Sequence, residues 1–428
     1  MKLRKSLSLL LAAAMALSLV ACGQKDDPAG SGDTSAPEAG VEISLATYPI
    51  GKWSDEATVN GLIADFNAAH PDIKVNVQYL DYTNGDDTLS TAVEGKKAPD
   101  IIFEGPERLV AKWGAEGYLV DLKDMVAPGT YDTVINSCTS ANGAVYELPV
   151  CMTAHCMAIN KDLFEAAGAL QYVDLETRTW TTENFLKAVQ AVYDYGHKDV
   201  GVVFCGGQGG DQGNRALVTN MYGGTYANAE HTAYTANCPE NVKALQTLYN
   251  QDGIKFDPAI VGGDEIQLFV QGVLGMATCW NVAQETNNAD KLTFDALPMA
   301  FPTESGDPLL QGGIWGFGIF DNGDQAKIDA AKTFVKFMTE DDAQYAKAVE
   351  ATSYWPTRAV EGMYEGNDLM TEYGKLVPFM GDYYQITKGW TTARTEWWNA
   401  LQRIGAGGDV QTELDTFVAN ANAAAAQG

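Results

Sequence analysis

A cluster of acidic and basic side chains follows an apolar run near the start of the chain. Residues 98–117 read APDIIFEGPERLVAKWGAEG, and Glu104, Glu107 and Arg108 surround a Gly-Pro pair directly after DIIF. Carboxylates and a guanidinium bind hydroxyl groups through several hydrogen bonds at once, so the cluster has the chemistry to hold a polar ligand. The same residues also suit a helix start, with Pro106 at the first position and an acid in the first turn. Both interpretations stay open at this point.

Two neighbouring glutamates also suggest glycoside hydrolysis, in which a pair of carboxyl groups flanks the bond to be cleaved. Glu104 and Glu107 are three residues apart at a helix start, where they lie side by side instead of facing each other. The chain has no G-x-S-x-G motif and no Cys–His pair that the sequence singles out. A secreted glycoside hydrolase is therefore the least favoured reading. We expect no catalytic residue, no enzymatic activity and no cofactor.

Strand and helix patterns alternate along the chain. Strands are predicted at 41–48, 73–80, 100–103, 200–207, 272–280, 294–301 and 312–320, and clear helices at 54–70, 179–196 and 325–339. Ser54 is the predicted N-cap of the first helix, and Thr181 that of the second, where Trp180 and Phe185 form a hydrophobic staple. This alternation of strands and helices predicts an α/β fold. Because the chain is too long for one ordinary hydrophobic core, we expect two lobes.

The first residues have the pattern of a secretory signal. A basic start precedes an apolar run from Leu7 to Val20, which ends in LVAC at Cys22. That ending resembles the lipobox of bacterial lipoproteins, which implies cleavage after residue 21 and a diacylglyceryl group on the Cys22 thiol. An ordinary signal followed by a chance cysteine is the alternative. Residues 23–40 are rich in Gly, Ser, Pro and acids, as a flexible tether would be.

Charge and cysteine content narrow the function classes. The formal net charge is −28, and an acid excess of this size argues against nucleic acid as a partner, since phosphates require clustered Lys and Arg. The six cysteines beyond Cys22 match no metal-binding spacing, and the four histidines form no metal pair, so we expect no metal centre. Secretion permits disulfides among these six, but the count alone does not establish any pairing.

An ordered set of segments resembles one protein family. The segments are FNAAHPDIKVNVQYL, APDIIFEGPERLVAKWGAEGYLVDL, NGAVYELPVCMTAHCMAINKDLFEAAG, TWTTENFLKAV, FVQGVLGMATCW, GGIWGFGIF and AAKTFVKFMTEDDAQ. Their order resembles the family 1 extracellular solute-binding proteins of bacterial ABC importers, typified by maltodextrin-binding protein. The resemblance implies a periplasmic-binding-protein fold, in which two α/β lobes joined by three crossings enclose a ligand cleft.

The resemblance also implies where the lobes divide. The crossings would fall near 148–153, 296–300 and 350–355. Lobe 1 would then contain residues 41–151 and 300–350, and lobe 2 residues 152–299 and 351–428.

Site residues carried over from the family lie at strand ends and in loops facing this cleft. Glu104, Glu107 and Arg108 occupy a position that contacts sugar hydroxyls, although Glu104 stands where the best-known member has an aromatic residue. The other implied ligand contacts are aromatic, apart from one turn residue, and each has an ordinary packing or turn role as its alternative. They are Tyr48, Trp53, Asp211, Trp280, Trp315, Trp355, Trp397 and Trp398. Of the last two, which are adjacent on a helix, we expect only one to face the cleft.

The resemblance therefore implies a monomeric, lipid-anchored receptor on the extracellular face of the membrane. It would bind a sugar or oligosaccharide and deliver it to an ABC permease by hinge closure. The same fold with a non-sugar ligand is the alternative. A polyol phosphate would require converging basic residues, a polyamine would require carboxylates with aromatic residues, and a peptide also stays open.

Overall fold

The structure is a computed structural model that describes residues 40–82, 84–207 and 212–427. The predictions for Cys22, the tether and Asp211 thus lie outside the described residues. The described strands are β1 Val41–Thr47, β2 Ile73–Tyr79, β3 Ile101–Glu104, β4 Leu148–Ala154, β5 Cys156–Asn160, β6 Gly201–Phe204, β7 Ile254–Asp257, β8 Met276–Trp280, β9 Ala296–Met299, β10 Gly312–Ile319 and β11 Trp355–Pro356.

Helices follow most of these strands. They are α1 Glu56–Ala69, α2 Gly85–Glu94, α3 Pro106–Arg108, α4 Asp132–Ser137, α5 Lys161–Ala166, α6 Thr182–Tyr195, α7 Gln212–Met221, α8 Pro239–Asn250, α9 Gly262–Val270, α10 Val282–Asn288, α11 Gln325–Glu340, α12 Asp342–Glu350, α13 Asp368–Gly374, α14 Trp390–Gly405 and α15 Val410–Ala425. Helix α3 continues into a π-helical segment, Leu109–Gly114.

A six-stranded mixed sheet holds the first part of the chain, in the order β11-β4-β10-β3-β1-β2. Strand β1 pairs parallel with β2 and β3, while β10 pairs antiparallel with both β3 and β4. The β3 run is apolar because both of its faces are covered, and all four of its residues are buried. This arrangement places the carboxyl end of β3, with Glu104, beside Gly316 of β10.

The middle of the chain forms separate sheets. Strands β8-β5-β9 make one sheet, and the parallel pair β6-β7 makes another. The chain leaves the six-stranded sheet at His155, re-enters it at Gly312 after β9, and leaves it again after Pro356. The crossings between lobes expected near 148–153, 296–300 and 350–355 stay predictions.

Helix starts follow local chemistry, with one correction. Asp55, not Ser54, caps α1, and its side chain accepts from Thr58 N at 2.9 Å; Ser54 belongs to the short 3-10 turn before it. Thr181 caps α6 as predicted, accepting from Asn184 N at 3.2 Å. The Trp180 and Phe185 rings meet edge-on at 5.1 Å, which confirms the staple.

Two further features are the state of the cysteines and the lack of a membrane-spanning helix among the described residues. Cys138, Cys151, Cys156 and Cys205 are buried free thiols, so they pack as small apolar side chains. Within the described ranges, no helix has both the length and the apolar character needed to cross a membrane.

Candidate functional site

The junction between β3 and α3 holds the cluster singled out in the sequence. Gly105 is extended and Pro106 starts the helix, so the backbone turns sharply between Glu104 and Arg108. The Arg108 guanidinium donates to Glu104 Oε1 at 2.8 Å and to Glu107 Oε1 at 3.4 Å. The side chain of Glu104 is 1% exposed and that of Arg108 13%. The structure therefore brings the three predicted residues together, and the same turn serves as a helix start.

Residues from α2 and from the segments after β1 and β2 complete the surroundings of Arg108. Asp86 in the first turn of α2 accepts from Arg108 Nε at 2.7 Å and from Nη2 at 3.1 Å. Tyr48, which follows β1, donates its hydroxyl to Asp86 at 2.6 Å and stacks on Tyr82 at 5.0 Å. The guanidinium carbon lies 5.2 Å from the centre of the Tyr48 ring. Tyr48 thus joins the cluster, while Asp86 and Tyr82 were not predicted.

Two glutamates in this region carry unsatisfied oxygens. Glu147, immediately before β4, is fully buried, and neither of its carboxyl oxygens has a hydrogen-bond partner. Oε2 of Glu104 is also buried without a partner. Burial, together with the nearby charges of Glu107 and Glu104, raises the pKa of Glu147 well above its usual value. Burial likewise raises the pKa of Glu104, although the Arg108 charge opposes it. In contrast, the pKa of Asp86 is lowered, because the hydrogen bonds and charge of Arg108 outweigh its burial.

A tyrosine from the C-terminal part of the chain reaches this cluster. Tyr383 is buried and donates its hydroxyl to Glu107 Oε2 at 2.7 Å. The next residue, Tyr384, stacks on Tyr226 at 4.8 Å and accepts from Arg215 Nε in α7 at 3.0 Å. These two adjacent tyrosines therefore connect the β3–α3 junction to the helices packed beyond the six-stranded sheet.

A cavity of about 360 Å³ lies beside Tyr383. Its floor is a row of three residues that face each other in register across β10, β4 and β11, namely Ile314, Met152 and Trp355. Its other walls come from α4 and from the segment before Tyr383, and they include Val134, Val377 and Met380. The lining is mainly apolar and aromatic, as is common in small-molecule sites.

Two predicted tryptophans lie at or near this cavity. Trp355 is half-buried and lines it directly. Trp315 is also half-buried, but it stacks on Tyr354 with ring centres 4.9 Å apart and planes 13° from parallel. Because Ile314 lies on the cavity floor, its neighbour Trp315 lies on the opposite face of β10. One face of the Trp315 ring is thus already covered by a tyrosine.

Two other predicted tryptophans, Trp53 and Trp280, lie in the core. Trp53 is fully buried against Phe103 at 4.4 Å, and its ring nitrogen donates to Ala348 O at 3.1 Å. Trp280 is fully buried, and its ring nitrogen donates to the Tyr373 hydroxyl at 2.5 Å. Both side chains are fully buried, so the ligand contacts implied for Trp53 and Trp280 are corrected to core packing.

The adjacent tryptophans of α14 differ as expected of neighbours on a helix. Trp397 is fully buried, with Tyr226 at 5.3 Å and Phe417 at 5.5 Å, whereas Trp398 is half-buried. Trp397 is therefore a core residue, and a ligand contact by Trp398 stays a prediction. Asp211 also stays a prediction.

Four residues of the site were missed in the sequence, namely Tyr82, Asp86, Glu147 and Tyr383. Asp86 carried a weak signal, since it is an acid in the first turn of a helix that follows a strand. Tyr383 had no local signal, because its partner Glu107 is 276 positions away in the chain. Glu147 precedes a fully apolar strand and could have been noted as a charged residue in a buried position.

The fold is that of a two-lobed α/β protein of the periplasmic-binding type, and its candidate polar and aromatic residues gather at the β3–α3 junction and beside Tyr383. The chain belongs to the bacterial extracellular solute-binding protein family, whose model matches residues 51–345.

Solved structures of similar fold include sugar-binding proteins. A cyclic alpha-maltosyl-1,6-maltose binding protein from Arthrobacter globiformis is 20% identical, with 91% of this chain and 100% of that chain covered at a TM-score of 0.74. A solute-binding protein from Thermotoga lettingae bound to alpha-D-tagatose is 19% identical, covering 90% and 100% at a TM-score of 0.71. An ABC substrate-binding protein from Listeria monocytogenes in complex with cycloalternan is 19% identical, covering 90% and 98% at a TM-score of 0.69.

One curated relative matches a short stretch. An uncharacterized lipoprotein from Streptomyces antibioticus is 35% identical over 83 residues, which are 19% of this chain and 17% of that protein.

Proposed function

We propose that this protein is the extracellular receptor of an ABC importer and that it binds a sugar or oligosaccharide between its two lobes. The observation that carries the proposal is the polar network of Arg108. It bonds Asp86, Glu104 and Glu107 beside stacked tyrosines, and Glu107 in turn accepts from Tyr383 of the C-terminal part of the chain.

Sugar recognition requires this combination of groups. Hydroxyls on adjacent sugar carbons pair with carboxylate and guanidinium groups, whereas the C–H faces of the ring stack on aromatic side chains. In a cleft closed to water, each unpaired buried hydroxyl costs about 1–3 kcal/mol, so the network would discriminate between epimers. The ligands named for the solved relatives, tagatose and two cyclic oligosaccharides, support this class.

The proposed contacts are Glu104, Glu107 and Arg108 for hydroxyls, and Trp315 and Trp355 as ring platforms. Tyr48 is fully buried against Tyr82, so it would act by holding Asp86 in place instead of stacking on the sugar. Trp315 would serve only if Tyr354 moves from its face, so Trp355 at the cavity is the stronger aromatic contact.

The lobes themselves are part of the proposal. We assign strands β1–β4, β10 and β11 to lobe 1, and β5–β9 with α13–α15 to lobe 2. The Glu107–Tyr383 bond then joins the lobes, and ligand exchange would require a hinge motion that breaks it.

Anchoring and delivery complete the proposal. A diacylglyceryl group on Cys22 would hold the protein at the extracellular face of the membrane, where the tether at 23–40 lets it reach the permease. The short match to an uncharacterized lipoprotein supports this localisation. We propose that the receptor acts as a monomer.

A titration tests the proposed function. The full chain in detergent is titrated with neutral mono- and oligosaccharides, and binding is followed by tryptophan fluorescence and calorimetry. We expect at least one saccharide to bind, and Glu107→Gln to weaken that binding by about tenfold or more, since it loses a charged acceptor. Glu116→Gln, an exposed glutamate shortly after the same helix, is the matched control and should bind as the parent does.

Two outcomes of this titration would contradict the proposed function. No heat and no fluorescence change with any saccharide would refute a sugar receptor. Cleavage of a labelled oligosaccharide during incubation would instead favour the hydrolase alternative. That alternative is disfavoured because Glu104 and Glu107 both bond to Arg108, so they lie on one side of any bound ligand.

A further inference from the structure

Charge is unbalanced around the β3–α3 junction. Four carboxyl groups meet there, from Asp86, Glu104, Glu107 and Glu147, and one guanidinium bonds to three of them. Lys112, whose charge also acts on Asp86, donates its ammonium group to Ser90 Oγ at 2.9 Å instead. Glu147 and Oε2 of Glu104 are left with no hydrogen bond at all, although both are buried.

Buried carboxylates that lack hydrogen-bond partners need either a proton or a nearby cation. An ionised carboxylate away from water is strongly unfavourable unless it is paired, and a neutral one still leaves hydrogen-bonding capacity unused. Two independent glutamates with unsatisfied oxygens in one place therefore indicate a missing group that donates hydrogen bonds and carries positive charge.

An alkylammonium group meets both needs. It carries one positive charge and three N–H donors, which matches two or three carboxylate oxygens converging from different elements. The surrounding rings add to this preference, since Tyr48 and Tyr82 already bind the Arg108 guanidinium over their faces at 5.2 Å and 5.7 Å. Arg108 itself leaves the excess of carboxylates available, because it uses its donors mainly on Asp86 and Glu104.

We propose that this site selects a ligand bearing a protonated amine, which Glu147, Glu104 and Glu107 bind beside the hydroxyl-binding network. The proposal rests on the proposed function only for the location of the cleft. An amino sugar and a polyamine both carry this chemistry, and the experiment below separates them.

Tyr383 provides the route to this site. Its hydroxyl donates to Glu107 Oε2, and the same residue lines the cavity of about 360 Å³. A ligand that enters the cavity and displaces this hydroxyl would reach Glu107, which Arg108 joins to Glu104. The tyrosine thus occupies the position of a ligand donor in the present structure.

Binding of an amine should release protons. Several elements packed around Glu104 and Glu147 bring charged or titratable groups close to them. These groups are Tyr48, Tyr82, Asp86, Glu107, Arg108, Cys138, Cys151 and Tyr383. Among these neighbours the only cation is Arg108, and it is already bonded. An incoming ammonium would therefore favour ionisation of the protonated carboxyl groups.

Calorimetry of the full chain tests the proposal with four probes. They are glucosamine oligomers, the matched N-acetylglucosamine oligomers without charge, spermidine, and calcium chloride alone. We expect a glucosamine oligomer or spermidine to bind at least about tenfold more tightly than the N-acetylated oligomer, with a binding heat that depends on the buffer's ionisation enthalpy. Glu147→Gln should remove most of this preference, and Glu116→Gln should not.

Each outcome decides something different. Equal or tighter binding of the N-acetylated oligomer overturns the amine inference but leaves a sugar receptor intact. Binding of spermidine with no response to any saccharide supports the inference and overturns the sugar proposal. Displacement of a bound amine by calcium, or failure of both amines to bind, overturns the inference. If Glu147→Gln does not fold, Glu104→Gln and the proton release of the parent protein give the same test.

Discussion

Replacing Glu147 by glutamine keeps the size of a fully buried side chain and removes its ionisable proton. Burial raises the pKa of Glu147 well above its usual value, and the nearby Glu107 and Glu104 add to the effect. In an unfolded chain a glutamate side chain has a pKa of about 4.3. The folded protein therefore keeps the proton of Glu147 to a higher pH than the unfolded chain does.

The magnitude follows from this difference in bound protons. When folding raises the pKa of a carboxyl group, that group contributes most to the free energy of unfolding at low pH. This contribution is lost as the pH rises above the pKa of the unfolded chain. Between the unfolded pKa of about 4.3 and the raised folded pKa, the parent's free energy of unfolding should fall by about 1.4 kcal/mol for each pH unit through this group. Glutamine is neutral at every pH. Glu147→Gln should thus be nearly as stable as the parent near pH 4, and its advantage over the parent should widen with this slope as the pH rises.

Urea unfolding followed by tryptophan fluorescence at several pH values measures this difference. Glu116→Gln, which changes an exposed glutamate, should differ from the parent by less than about 0.5 kcal/mol at each pH. A gap between Glu147→Gln and the parent that stays flat or shrinks as pH rises would refute the reasoning. It would mean that Glu147 is ionised and well paired in the folded protein.

Three other changes test separate parts of the structure. Tyr383→Phe removes the bond to Glu107 and should leave the unliganded protein more open, seen as a larger radius of gyration in X-ray scattering; an unchanged radius would contradict a closing role. Trp397→Ala should lower the free energy of unfolding by about 3–5 kcal/mol in urea titration, whereas Trp398→Ala, at a half-buried position, should cost clearly less; equal losses would contradict their different burial. Cys22→Ser should abolish incorporation of labelled fatty acid and release the protein from membranes, and continued labelling would exclude Cys22 as the anchor.

Local patterns were sufficient for much of the fold and for the centre of the site. The Gly-Pro turn after a buried strand located Glu104, Glu107 and Arg108, because strand, turn and helix start are all short-range features. The N-cap at Thr181 was predictable for the same reason. At α1 the predicted cap was one residue too early, since Ser54 is part of the preceding 3-10 turn and Asp55 caps the helix.

The remaining parts of the site depend on contacts between distant segments. A tryptophan has the same sequence signal in a core as in a cleft, and only tertiary packing places Trp53 and Trp280 inside. Likewise, nothing near Tyr383 reveals that its hydroxyl meets Glu107.

Strand β10 lies between β3 and β4, yet it comes after the whole second group of sheets in the chain. Until Gly312–Ile319 is available, both β3 and β4 keep an unpaired edge of apolar residues. Pairings between such distant segments form slowly, because the loop between them must close first. A growing or partly translocated chain therefore spends a long interval with open strand edges, and its folding should depend on protection from aggregation during that time.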